Sequence, residues 1–285
     1  MTPEARTTRR RRTGTRLEQR NRRASLGTSI PQQPTITLGD QAAMAQHPPI
    51  TLRYFDARGR AQPLRYYFAA RGIAYTDERV SLTPGGSNPW LEMREDRARV
   101  GPFHKLPVLH YGDRMLAETL VINAFLHREL GDEALLSTTE NLRHAMLVSS
   151  LYSDIVMHVG TTLWAEAISV GLDYSAFTRQ VIGRIRGLLG RIDQTLSEWG
   201  WAAAARGRPT MIADCLLWEE LDSLQHVFGE HVGLDNLPTL SRLYLEAPGR
   251  AAFQKVLASH PAPVTGRGIV AETEIIGRIR SYLAA

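Results

Sequence analysis

Residues 102–130, PFHKLPVLHYGDRMLAETLVINAFLHREL, decide the fold. Pro107 has no backbone donor, so a strand carrying the apolar Val108 and Leu109 must start at the proline. Tyr111-Gly112-Asp113-Arg114 supplies a tight turn centred on Gly112-Asp113, and Met115 and Leu116 make a short return strand. Glu118-Thr119 opens a helix with Leu120, Ala124 and Phe125 expected on its apolar side.

Upstream, Ile50 to Tyr54 alternates as a strand does, and Gly59 closes the loop that follows. Gln62 to Ala70 is a helix with Pro63 in its first turn, where a missing donor costs least, and with Leu64, Tyr67 and Phe68 inward. Gly72 ends it, and Tyr75 to Val80 is a second strand. Strand, helix, strand in that order requires a parallel crossover. Pro84 to Arg99 reads as a loop holding a short helix around Trp90 to Arg94. The expected result is a mixed four-stranded sheet covered by helices.

Downstream of Leu135 no strand pattern appears. Leu142 to Trp164 reads as one long helix, whose serines and threonines suggest a face lining a cleft. Tyr174 to Trp199 is amphipathic, with Phe177, Val181, Ile185, Leu188, Ile192, Leu196 and Trp199 at three- and four-residue steps. Ile212 to Val227 is an apolar helix containing Cys215, shorter helices follow near 238–246 and 248–259, and a last amphipathic segment uses Ile275, Ile279, Tyr282 and Leu283. An α/β domain over 49–131 therefore precedes an all-helical one over 138–262, with a C-terminal extension at 263–285.

The 285 residues are 43% hydrophobic, enough for two cores, and contain no run of about 18 apolar residues that would span a membrane. The single cysteine, Cys215, excludes a disulfide framework and a cysteine-based zinc site, and its apolar helix makes it an inert core thiol. The net charge of +5 is misleading. Residues 1–43 hold nine arginines against three acids, which leaves residues 44–285 at −1. The folded body thus gives no electrostatic reason to bind nucleic acid. Residues 1–48 lack apolar periodicity and are expected to be a disordered basic extension. It reads as an upstream start preceding a body that begins near Met44, as a transit peptide, or as an arm binding RNA through Arg9 to Arg12. The expected location is cytoplasmic, or organellar if the leader is a transit peptide.

The stretch YFDARGRAQPLRYYFAA, residues 54–70, together with the Leu106-Pro107 lead-in and the Glu118-Thr119 helix start, resembles the tyrosine-type, sigma-like branch of the glutathione transferases over about residues 50–260. The resemblance implies a thioredoxin-like N-terminal domain, an all-α C-terminal domain, glutathione as cosubstrate and a homodimer. It implies that Tyr54 donates its phenolic hydrogen to the glutathione sulfur and that Arg60 adds positive potential there. Leu106, turned outward by a cis proline at Pro107, would pair with the peptide backbone of glutathione, with Lys105 beside it. The helix N-terminus at Thr119, with Glu118, would take the γ-glutamyl end. Family members often carry Gln-Ser at this pair, so Glu-Thr is a departure. Trp90 and Arg94 match a pair that faces the glycyl end, and Asp154 matches an acid sent across the dimer.

The chemistry can be sized. A thiol of pKa about 8.5 must drop by roughly two units to be mostly thiolate at neutral pH, or about 2.7 kcal/mol. One hydrogen bond to a charged group supplies roughly 1.5–3 kcal/mol. A single tyrosine hydroxyl can therefore do most of the work.

Pro209-Thr210-Met211-Ile212-Ala213-Asp214 resembles the family's capped helix start with Met211 in place of the usual hydroxyl, so the cap is expected to be absent or shifted. His104, His110, His144 and His158 show no ligand spacing and read as surface or half-buried residues; no metal is implied. The expected activity is conjugation of glutathione to an apolar electrophile. A glutathione-dependent isomerase or peroxidase shares the thiolate step, and a non-catalytic binding module shares the scaffold. The second-substrate pocket is expected from the loop after Tyr54, the 142–164 helix and the 270–283 segment.

Overall fold

A computed structural model describes residues 47–81, 88–168, 173–259, 264 and 269–285. The basic leader, the start of the 84–99 loop and most of 260–268 lie outside the described residues, so the expectation of a disordered extension falls there.

Strand β1 (Ile50–Phe55) turns Ile50, Leu52 and Tyr54 inward and leads through a short 3-10 turn into helix α1 (Gln62–Arg71). Burying a side chain such as Leu52 contributes about 1.5–3 kcal/mol, which fixes the face of the strand. Strand β2 (Thr76–Val80) runs parallel to β1, with Tyr54 opposite Arg79. Two short helices follow, α2 (Pro89–Met93), begun by the Asn88 side chain, and α3 (Arg97–Val100), begun by Asp96. Four residues are too few to show a helical period, which is why α3 was not expected.

Strands β3 (Val108–Tyr111) and β4 (Arg114–Ala117) are joined by the Gly112-Asp113 turn, and helix α4 (Thr119–Glu129) closes the first layer. The sheet order is β2-β1-β3-β4, with β3 antiparallel to both neighbours. This is the mixed four-stranded sheet that the sequence predicts. The inner face of α4 differs from the expectation: Ile122, Phe125 and Leu126 are buried, whereas Leu120 and Ala124 face outward. The spacing of 122, 125 and 126 sets the stripe, and Leu120 falls off it.

The rest is helical. A Ser137–Glu140 capping box starts α5 (Thr138–Ser150), a π-helical segment covers Leu151–Val156, and α6 (Met157–Ile168) follows. The expected single long helix is thus divided into three segments, α, π and α. Helix α7 (Ser175–Glu198) carries the expected stripe, although Phe177 at its start is exposed and Leu189 is buried beside Ile185 and Ile192. After α8 (Trp201–Arg206) comes α9 (Ile212–Phe228), the central helix of the domain, then α10 (Pro238–Leu245), α11 (Arg250–Ser259) and α12 (Ile269–Ala284).

Helix α1 packs on α9 and α11, so its second face is covered as well, and Arg65 and Tyr66 are fully buried beside the expected Leu64, Tyr67 and Phe68. The start of α9 has no side-chain cap from Met211; Asp214 instead reaches back to accept the Met211 N–H at 2.9 Å and also takes the Trp201 indole N–H and the Arg208 guanidinium. Cys215 is fully buried, and burial pushes its thiol well above the ordinary range. Among the described residues no helix is long and apolar enough to cross a membrane.

Candidate active site

Three sequence-distant pieces meet at one end of the sheet because of its register. Arg53 of β1 lies opposite Val108, the first residue of β3, and Val108 lies opposite Ala117, the last residue of β4. The end of β1 at Tyr54-Phe55, the Leu106-Pro107 lead-in and the Glu118-Thr119 helix start therefore share an edge. The Leu106-Pro107 peptide bond is cis, as the resemblance implies. Leu106 makes no backbone hydrogen bond among the described residues, so its N–H and C=O remain free to pair with an extended peptide.

At the start of α4, Glu118 sits in a left-handed conformation (φ 68°) and its side chain is exposed and caps nothing. The first amides of α4 are thus open at the positive end of the helix. The Thr119 hydroxyl is buried without a partner among the described residues. An orphaned hydroxyl beside open amides suits a ligand carboxylate, which accepts from both.

Tyr54 ends β1 with its ring nearly buried and its hydroxyl oxygen accepting the Arg60 N–H at 3.2 Å. Burial pushes the phenol above its ordinary pKa, partly offset by the Arg60 N–H and by the charges of Arg60 and Arg65. At neutral pH the phenol keeps its hydrogen and can donate it. Gly59 makes the approach possible: its φ is +39°, and a Cβ there would lie 2.6 Å from the Tyr54 oxygen.

Tyr54 opens onto a cavity of about 690 Å³, within the range of small-molecule sites. Phe55, Ala57, Gly59 and Arg60 supply one wall, Trp90 another, and Val156, Met157, Val159 and Gly160 a third. The Trp90 ring meets Phe55 edge to face at 5.2 Å. The Arg60 guanidinium lies at the rim, 3.4 Å from the Met157 sulfur.

Of the sequence-derived candidates, Tyr54, Arg60 and Trp90 line this cavity, whereas Leu106, Pro107, Glu118 and Thr119 sit at the neighbouring sheet edge, outside its wall. Arg94 and Lys105 are exposed, outside the cavity wall, and Arg94 pairs with Glu95 at 3.2 Å. Asp154 sits in the π segment, accepting the Ser150 hydroxyl at 3.1 Å, and also lies outside the wall.

The fourth wall was not foreseen. It comes from Glu219, Glu220 and Ser223 of α9 and from Val264, rather than from side chains of the 270–283 segment. Val264 accepts the Gly59 N–H at 3.2 Å, and its own N–H is held by Glu272 at 2.8 Å. Glu219 is buried and neutralised by Arg58 through two contacts, at 3.0 and 2.7 Å, with further bonds from Tyr66 and Ser223. Arg58 also reaches Asp222 at 2.7 Å, so this network fastens the loop after β1 to α9. Glu220 is buried at 6% exposure and makes no hydrogen bond or ion pair among the described residues. Its carboxyl is held well above the usual carboxylate range, chiefly by burial, with the charge of Glu219 adding and Arg58 opposing. Two consecutive acids inside an apolar helix were the available signal.

Comparison with known proteins bears on the fold. No family model matches the chain. A glutathione S-transferase of Plasmodium falciparum is 35% identical over 80 residues, which is 28% of this chain and 37% of that protein. S-crystallin SL20-1 of Nototodarus sloanii is 39% identical over 85 residues, 30% of this chain and 34% of that protein. The matched sequence thus spans little more than a third of these relatives. In structure, a glutathione S-transferase of Ascaris lumbricoides aligns with TM-score 0.63 at 19% identity, covering 76% of this chain and 100% of that one. A monomeric glutathione S-transferase of the hookworm Necator americanus aligns with TM-score 0.62 at 20% identity, covering 76% and 100%. At these identities the structural likeness is one of fold.

Proposed function

We propose that this chain, which has the fold of the glutathione transferases and resembles that family in sequence, activates glutathione as a thiolate and adds it to apolar electrophiles. One observation carries the reading: a buried, neutral Tyr54 phenol, its oxygen already occupied as an acceptor by Arg60, faces a cavity of about 690 Å³ with its hydrogen unspent.

Glutathione supplies the nucleophilic sulfur. Tyr54 donates to that sulfur and favours its anionic form by roughly 1.5–3 kcal/mol, and the Arg60 charge at the rim works in the same direction. The open amides of α4 with Thr119 hold the γ-glutamyl carboxylate, and Glu118 accepts from the neighbouring ammonium group. Leu106, beside Pro107, pairs with the peptide backbone, while Trp90 bounds the site on the glycyl side. Arg94 and Lys105, exposed nearby in sequence, belong to the outer margin of the peptide site. The apolar wall of Phe55, Val156, Met157 and Val159 receives the second substrate.

We also propose a homodimer. Helices α4 and α5 pack together and turn Leu120, Val121, Leu142 and Met146 to the outside, a set of apolar side chains that a second copy would cover. Asp154 would then approach the partner's peptide site.

The deciding experiment is turnover of an aryl halide by the purified protein with and without glutathione. Glutathione-dependent release of halide well above the uncatalysed rate supports the reading. Glutathione binding without turnover across several electrophile classes would make the chain a binding module instead.

A further inference from the structure

Among the described residues, Glu220 is the carboxyl of the cavity wall that the fold leaves unused. Its neighbour Glu219 is spent on Arg58, Tyr66 and Ser223, and Asp222 on Arg58 and Tyr244. Glu220 is buried at 6% exposure and lines the same cavity as Tyr54, yet among the described residues it has no hydrogen bond and no counter-ion. A buried carboxylate without a partner costs several kcal/mol, so the group holds its proton instead. A polar group entering the cavity would supply Glu220 with the partner that the described residues do not.

We propose that Glu220 is a proton donor to the second substrate, and that the substrates it serves are α,β-unsaturated carbonyl compounds. This rests on the proposed glutathione reading. Attack at the β-carbon forms the carbon–sulfur bond and pushes the C=C electron pair onto the carbonyl oxygen. That oxygen then takes the Glu220 hydrogen, the Glu220 O–H bond breaks, and the enol relaxes to the ketone. Glu220 regains a proton from water, and the thiol proton has already gone to water, so the sum is addition of S–H across the double bond with no oxidant or reductant. An aryl halide needs none of this, because chloride leaves without a proton.

The charged and titratable groups facing Glu220 are Glu219 on its own helix, Arg58 from the loop after β1, Tyr152 from the π segment, and Tyr54 and Arg60 across the cavity. Arg58 is held by Glu219 and Asp222, and Tyr54 is engaged with the sulfur in the proposed reaction, which leaves Glu220, whose carboxyl burial holds toward its protonated form, to serve the carbonyl oxygen.

The test compares an enone and an aryl halide on the full chain and on Glu220→Gln, which keeps size and polarity but cannot transfer a proton. The expected result is a loss of roughly a hundredfold in kcat/KM for the enone. The aryl halide rate and the glutathione Kd should stay within about twofold. A merely structural Glu220 would lower both rates together, and an irrelevant one would change neither; either outcome overturns the proposal. On the unmodified protein, the ratio of enone to aryl halide rate should fall as pH rises through the Glu220 titration, and a flat ratio overturns the proposal even if Glu220→Gln fails to fold. Absence of any glutathione conjugation by the unmodified protein would instead remove the underlying transferase reading, and turnover of the aryl halide with none of the enone would remove this inference alone.

Discussion

The Tyr54 hydroxyl accepts the Arg60 backbone N–H at 3.2 Å, and that contact leaves the phenol its hydrogen to donate. With the amide on its oxygen, Tyr54 still has its hydrogen to donate, and the residue lines the cavity. The same amide would stabilise a phenolate, but burial outweighs it and keeps the group protonated.

Replacing Tyr54 by Phe removes this hydrogen and leaves the ring. The pKa of bound glutathione should rise by about one to two units, and turnover near pH 7 should fall roughly tenfold to a hundredfold. Glutathione affinity should change far less, because α4 and Leu106 still hold the peptide. Thiolate absorbance and steady-state rates measure both. An unchanged rate would transfer the role to Arg60.

Gly59→Ala tests the approach rather than the group. The new methyl would meet the Tyr54 oxygen at 2.6 Å in a backbone conformation that already disfavours a side chain. The ring must move, and a displacement of the order of 1 Å costs about a hundredfold in rate. A kcat near that of the parent would mean that Tyr54 is not held where it acts.

The Arg58–Glu219 pair should behave as an all-or-nothing clamp. Arg58→Met leaves Glu219 and Asp222 without their cation in a buried site and should cost about 3–5 kcal/mol by urea unfolding. Adding Glu219→Gln to Arg58→Met should recover part of that loss, since an uncompensated charge is removed. A double variant less stable than Arg58→Met alone would contradict this account.

His144 is buried, against the expectation of a surface or half-buried ring. It stacks on His127 at 4.1 Å, and its Nε2 accepts the Ala213 N–H at 3.3 Å at the start of α9. Burial first, and the His127 charge second, push its pKa down to about 3. The folded value lies below the ordinary value of about 6.5, so the unfolded chain takes up a proton that the folded chain refuses. Stability from this group is complete above about pH 6.5 and falls with a slope approaching 1.4 kcal/mol per unit as pH drops toward about 3. Between pH 7.5 and 5.5 the parent should therefore lose about 1.3 kcal/mol more than His144→Gln. His110, whose pKa is also lowered, by burial first, is common to both proteins and cancels.

Light scattering should give twice the chain mass if α4 and α5 form the proposed interface, and Leu142→Asp with Met146→Asp should shift it toward one. Asp154→Asn should leave the mass unchanged and weaken glutathione by about two- to fivefold, the range of a solvent-accessible ion pair. A monomer that is fully active when dilute would rule out both.

The sheet was legible because its signals are local. Pro107 forbids a donor, Gly112-Asp113 turns, and the alternation of Ile50 to Tyr54 marks one buried face. The fourth wall was not legible, because in one dimension a buried acid looks like a surface acid. Glu219 becomes interpretable only when Arg58, 161 residues earlier, is seen beside it. The outward turn of Leu120, the burial of His144 and the covered second face of α1 share this cause, since each depends on a neighbour supplied by another element.

The π segment at Leu151–Val156 has a consequence of its own. One additional residue in a helix rotates everything after it by roughly 100° relative to everything before. It is this offset that lets α5 present Leu142 and Met146 outward while Val156, Met157 and Val159 face the cavity. Deleting a single residue there would straighten the helix, keep the composition of both halves, and swing a different set of side chains into the wall. The lining of the cavity is thus adjustable by indel at one hinge of phase, without a substitution at any residue of the wall.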